Sequence, residues 1–132
     1  MATIKKFEEL LVWKKARELN KLIYPLTYTE PIVSDFRFKD QLRGSLGSIM
    51  DNIAEGFERA SRLEFINSLS ISKGELGELK SQLYRGYDNK YFSKESFIQF
   101  YTLAEEITKM ITSLIRHLNN SKFKGQKYKD RK

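Results

Sequence analysis

Residues 43–59 read RGSLGSIMDNIAEGFER and set three glycines, Gly44, Gly47 and Gly56, inside what is otherwise one long helical pattern. A glycine in a helix interior costs roughly 1 kcal/mol against alanine. The stretch SISKGELGELK, residues 70–80, repeats the problem with Gly74 and Gly77. Together the five cost on the order of 5 kcal/mol, which rivals the whole net stability of a small domain. Something in the architecture must return that energy.

Outward from this stretch the pattern is helical throughout. Phe38, Leu42, Ile49, Ile53 and Ala60 form the apolar face of the helix holding the first three glycines, with Leu46 and Phe57 beside it. Ser34 or Asp35 can cap its start, which falls between Ser34 and Asp40. Upstream, a helix is expected from Phe7 to Tyr24 or Thr27. There Val12, Ala16, Leu19, Ile23 and Leu26 repeat at spacings of 4, 3, 4 and 3. Pro25 weakens or ends it, because proline lacks an amide donor. Downstream, Ser61-Arg62-Leu63-Glu64 reads as a capping box that starts a third helix. That helix turns Phe65, Leu69, Leu76, Leu79 and Leu83 inward and ends near Asn89. Ser93 caps a fourth, where Phe97, Phe100, Ala104, Ile107, Ile111, Leu114 and Leu118 make the cleanest amphipathic signal in the chain. No alternating strand pattern or hairpin signal occurs. The expected fold is all-α, an antiparallel up-down-up-down four-helix bundle over residues 1–120.

The 132 residues suit one domain that holds a core without staples. There is no cysteine, which excludes disulfide and thiolate chemistry and fits a reducing cytoplasm. The N-terminus lacks a signal-peptide pattern, and no apolar run is long enough to cross a bilayer. A cytoplasmic protein without a membrane partner is expected. Residues 121–132, SKFKGQKYKDRK, carry +5 of the net charge of +7. They read as a basic, disordered tail that contacts nucleic acid or merely solubilises.

On a helical wheel Ser70, Gly74, Gly77 and Ser81 align beside the leucine face. A face without side chains lets another backbone approach closely and gain dispersion contacts. Gly44, Gly47, Gly74 and Gly77 therefore read as a close-packing seam, with a neighbouring helix or with another subunit. On the second helix Gln41, Ser45, Ser48, Asn52, Glu55 and Arg59 form a polar stripe beside the apolar face. Polar groups bordering a core are costly unless hydrogen-bonded. Gln41, Ser48, Asn52 and Glu55 are thus expected in a buried network, a subunit contact or a polar pocket.

Three pieces, WKKARELNKLIYPLT (13–27), QLRGSLGSIMDNIAEGFERAS (41–61) and EFINSLSISKGELGELKSQLYRGYD (64–88), resemble a known family over residues 7 to 118. The family is the bacterial four-helix-bundle proteins linked to intervening sequences in large-subunit ribosomal RNA genes. The most specific matches are Gln41-Leu42-Arg43, Ser48-Ile49 and Asn52-Ile53-Ala54-Glu55-Gly56, then Gly74 with Glu78-Leu79. The chain departs where Gly44 and Ser45 follow Arg43 in place of a basic and a small apolar residue. It departs again where Glu75 replaces the usual serine after Gly74. The resemblance implies an antiparallel bundle and a ring-like homo-oligomer, typically a pentamer. It also implies a ribosomal-protein label and a distant likeness to the nucleic-acid-engaging accessory protein of diversity-generating retroelements. It implies no enzymatic activity.

Catalytic and metal chemistry find little footing in the residues. His117 is the single histidine, too few for a bundle di-iron site. Glu55 with Glu58 and Glu75 with Glu78 are carboxylate pairs of a kind more often solvated than catalytic. No metal, cofactor or catalytic residue is expected. For nucleic acid, Lys14, Arg17 and Lys21 share a face of the first helix, with Trp13 and Tyr24 alongside. Arg43, Arg59 and Arg62 add charge around the second helix, and Lys122, Lys124, Lys127 and Lys129 add it in the tail. The first expectation is therefore a non-enzymatic homo-oligomer binding RNA or DNA weakly. The second is a scaffold for a protein partner.

Overall fold

Pro25 cannot donate to a helical ladder, and the first helix gives up its α geometry just before it. In the computed structural model, which describes residues 3–120, α1 spans Leu11–Ile23 and tightens into a 3-10 turn at Tyr24–Tyr28. Its start also differs from the expected Phe7. Phe7–Glu9 form a separate 3-10 turn, and Leu10 is extended at φ −70 and ψ 124. The local cause is Glu9, whose carboxylate accepts the amides of Lys5 and Lys6 at 2.9 and 3.1 Å. The tail expected over residues 121–132 lies outside the described residues, with its Lys122, Lys124, Lys127 and Lys129.

Helix α2 spans Phe36–Glu58. Asp35 is its cap, accepting the Phe38 amide at 3.2 Å. The helix ends at Glu58 because Ala60 takes the left-handed conformation, φ 57, in the turn to α3. Ala60 is therefore a half-buried turn residue and does not extend the α2 apolar face. Helix α3 spans Arg62–Asp88. Ser61 Oγ accepts the Glu64 amide at 3.4 Å, but the Glu64 carboxylate binds Arg59 at 3.2 Å instead of closing the capping box. Helix α4 spans Lys94–Asn120, with Ser93 Oγ accepting the Ser96 amide at 3.1 Å.

The backbones approach each other around the ring α1–α2–α3–α4–α1 and not across its diagonals. The protein is an all-α, antiparallel four-helix bundle, and no strand occurs among the described residues. The expected apolar faces meet at its centre. Leu19, Ile23, Leu42, Ile53, Leu69, Leu76, Leu79, Leu83, Ala104, Ile107 and Ile111 are fully enclosed. Leu26, Phe97 and Leu114 are half-buried at the margins. Burying one such leucine or isoleucine stabilises the fold by roughly 1.5–3 kcal/mol.

Beside the apolar packing of α2 on α3, where Phe57 meets Phe65 edge-on at 5.8 Å, small and polar groups also hold the two helices together. A Cβ at Gly56 would stand 2.4 Å from the Ser68 Cβ. Buried Ser72 donates to the Ile49 carbonyl at 2.9 Å. Buried Gln82 donates through Nε2 to Ser45 Oγ at 3.0 Å. Each bond satisfies a polar atom that water no longer reaches. No helix among the described residues is long and apolar enough to cross a membrane.

Candidate functional site

The polar stripe of α2 divides into two parts. At one end Glu55 pairs with Arg59 at 3.1 Å, and Arg59 also holds Glu64. The result is an exposed ion trio at the turn into α3. Asn52 folds back onto its own helix and donates to the Ser48 carbonyl at 2.8 Å. At the other end Gln41, Gly44, Ser45 and Ser48 face Glu75, Glu78, Gln82 and Arg85 of α3 across a groove of about 370 Å³. Both helices bring polar side chains here because each turns its apolar stripe toward the centre. The flanks then meet at the surface.

The groove has a cationic end and an acidic end. At the first, Arg85 Nη2 donates to Gln41 Oε1 at 3.0 Å, and its guanidinium lies 5.5 Å from the centre of the Phe38 ring. At the second stand Glu75 and Glu78, one turn apart. Partial burial pushes the Glu75 carboxyl above its usual range, and the like charge of Glu78 adds to the shift. On the floor, Gln82 is 3 % exposed. Its Nε2 is used by Ser45, while its Oε1 has no hydrogen-bond partner among the described residues.

The structure separates the body's candidate cations into two groups. Arg43 is committed internally. Its guanidinium sits 4.8 Å from the Tyr24 ring centre and 4.9 Å from that of Tyr28, and Nε donates to buried Thr27 at 2.8 Å. Arg59 is held in the ion trio. Arg62 donates to the Leu118 carbonyl at 3.0 Å and so caps the end of α4. In contrast, Lys14, Arg17 and Lys21 are exposed along α1. Trp13 beside them is half-buried, edge-on to Phe7 at 5.0 Å, with the Arg17 guanidinium 5.8 Å above it.

The four glycines of the expected seam lie apart from these contacts. A Cβ at Gly44, Gly47, Gly74 or Gly77 would meet nothing within 4 Å beyond its own helix. The described chain therefore contains no seam at these positions, and their faces point outward. Gln82, Ser68, Ser72 and Gly86 were not singled out from sequence. Gln82 had a legible signal, since it lies one turn from Leu79 on the border of the leucine face. Gly86 had none, because its partner Phe92 arrives from the loop beyond the helix. Among the described residues no group of three His, Cys, Asp or Glu side chains could hold a metal.

A search of curated proteins finds no match. A crystal structure of a protein of unknown function from the S23 ribosomal protein family of Bacteroides thetaiotaomicron VPI-5482 is similar. It aligns with a TM-score of 0.72 and 28% identity over 80% of this chain and 99% of that one. The family model described as 23S rRNA-intervening sequence protein matches residues 8–113, which takes in α1, α2 and α3 whole and α4 as far as residue 113. With the bundle and the sequence agreeing over that length, the chain belongs to the 23S rRNA-intervening sequence protein family.

Proposed function

We propose that the protein is a non-enzymatic, self-assembling four-helix bundle of the cytoplasm that binds RNA or DNA weakly through phosphate contacts. The observation that carries this reading is the exposed stripe of Lys14, Arg17 and Lys21 on α1. Of the body's candidate cations, Arg43, Arg59 and Arg62 are engaged by other groups of the chain, which leaves this stripe as the exposed set without an ion-pair partner among the described residues. Lysine and arginine contacts to phosphate release counterions and carry little sequence information. Assembly, as the pentamer that resemblance implies or another ring, would multiply the stripe and raise avidity without new contacts.

The test is fluorescence anisotropy with labelled RNA and DNA across a salt series, using the full chain and a Lys14→Glu/Arg17→Glu/Lys21→Glu variant. We expect affinity to fall steeply with salt. The variant should lower the log–log slope by roughly 2–3, near one unit per lost phosphate contact. Binding unchanged in the variant would move the contact to the C-terminal lysines. No binding at low salt would overturn the reading.

A second reading, a scaffold for a protein partner, is favoured by the open outer faces of α2 and α3. Gly44, Gly47, Gly74 and Gly77 leave room there for another backbone, and Leu63 on α3 is 70 % exposed. Such a contact would resist salt, which separates it from the first reading.

A further inference from the structure

We propose that the turn after α1 takes one unpaired nucleotide, with Arg43 holding its phosphate and Tyr28 stacking its base. The inference rests on the nucleic-acid reading above and deepens it, because phosphate contacts along α1 alone do not require an unpaired base. The contacts that hold Arg43 use only part of it. Nε donates to Thr27 Oγ1 at 2.8 Å. That hydroxyl is buried and itself donates to the Tyr24 carbonyl at 2.7 Å, so one atom of the guanidinium is tied to the backbone of the turn. The rings of Tyr24 and Tyr28, with centres 5.7 Å apart, both stand against the guanidinium carbon. The remaining donors of the planar fork, on Nη1 and Nη2, meet no acceptor among the described residues, and neither nitrogen is enclosed.

No carboxylate of the described residues pairs with Arg43. Glu30, just beyond the turn, is taken up by the Ser34 hydroxyl, which donates to it at 2.5 Å. An oriented guanidinium with its outer edge unused matches a phosphate, which accepts more than one of its N–H groups at once. Tyr28 is 66 % exposed, so much of its ring is open to solvent beside that fork. Lys21 lies three residues before Tyr24, a neighbouring position on the helix surface. The basic stripe of α1 therefore ends at this turn. A bare anion would satisfy the guanidinium and leave the Tyr28 ring uncovered. An unpaired nucleotide satisfies both, since every base has a face that stacks on an aromatic ring. Duplex bases are already stacked on one another and gain nothing from it.

The test is fluorescence anisotropy on the full chain at about 0.1 M salt. The probes are labelled oligouridylate, which does not pair with itself, and an RNA duplex of equal length. We expect Tyr28→Ala to weaken oligouridylate about tenfold, the size of one lost stacking contact, and the duplex by less than about twofold. Tyr28→Phe keeps the ring and should bind as the parent does. Arg43→Lys keeps the charge, loses the fork and should weaken oligouridylate at least about threefold. If that variant fails to fold, the exposed Tyr28 carries the test alone. Lys14→Glu/Arg17→Glu/Lys21→Glu should weaken both probes together and leave Tyr28→Ala selective for the single strand. Equal losses of both probes in Tyr28→Ala would mean that the ring only seats Arg43, and no loss would mean that the strand bypasses the turn. Either result overturns the proposal while nucleic-acid binding stands. Labelled oligoglutamate bound as tightly as oligouridylate would assign the fork to acidic protein segments and overturn it as well. If the parent binds neither RNA at low salt, the nucleic-acid reading fails and this inference fails with it.

Discussion

A methyl group at Gly56 would stand 2.4 Å from the Ser68 Cβ, and one at Gly86 would stand 2.3 Å from the Phe92 ring. Both distances are far inside contact, so α2 or the loop after α3 must shift. Gly56→Ala and Gly86→Ala should each destabilise the fold by about 1–3 kcal/mol, the range for overpacking a filled core. Gly44→Ala meets nothing and should not destabilise it, with up to about 1 kcal/mol gained from helix propensity. Urea midpoints of the three variants check this order. The six glycines among the described residues thus divide by what lies over them. Two let a neighbour in, and four leave an outer face bare.

At the scale of elements, the start of α2 is tied to the end of α3. Asp35 accepts the Phe38 amide and also the Tyr91 hydroxyl, at 2.6 Å, from the loop after α3. Tyr91 in turn packs edge-on to Phe38 at 5.1 Å. The Tyr91 hydroxyl, and then the Phe38 amide, hold the Asp35 carboxyl below its usual range, while the same bond pushes the Tyr91 phenol up. The stabilisation is fully present above the unfolded aspartate value of about 4 and is lost as pH falls through the lowered folded value. On the alkaline side it holds below the unfolded tyrosine value of about 10 and is lost as pH rises through the raised one. Asp35→Asn should therefore melt below the parent between those limits. The gap should close in acid, as thermal melts from pH 2 to 8 would show. A constant gap would mean that the carboxylate charge contributes nothing.

At the scale of the whole molecule, the proposed self-assembly needs a face that another backbone can approach, and the bare glycines of α2 and α3 leave one. Gly77→Leu tests this directly on the full chain. We expect light scattering to show loss of the oligomer while circular dichroism retains the helices, because a side chain there strains nothing inside the chain. An unchanged particle size would remove this face from the assembly. The salt series on α1 tests another surface, so the two results stand independently.

The helices were legible because their evidence is local. The 3–4 spacing of Val12, Ala16, Leu19 and Ile23, or of Phe100, Ala104, Ile107 and Ile111, marks one buried face whatever packs on it. Ser34 or Asp35, Ser61 and Ser93 marked three helix starts for the same reason, since a cap acts on amides three residues away, and the structure chose Asp35 for the first. The polar stripe of α2 was visible too, but its partners were not. Gln82 and Arg85 reach Ser45 and Gln41 across 37 and 44 residues, which only the packing of α3 on α2 brings together. The fate of the arginines was equally hidden. Arg43 looked like a surface cation until the turn after α1 folded Tyr24, Thr27 and Tyr28 around it. By itself the sequence determined the four helices and most of their buried faces, because periodicity and capping depend on near neighbours, while the start of α1 at Leu11 and the place of Ala60 in a turn came only with the structure. Only the tertiary structure decided which glycines are crowded, which arginines are committed and where a polar groove opens, because each depends on what a distant helix places opposite.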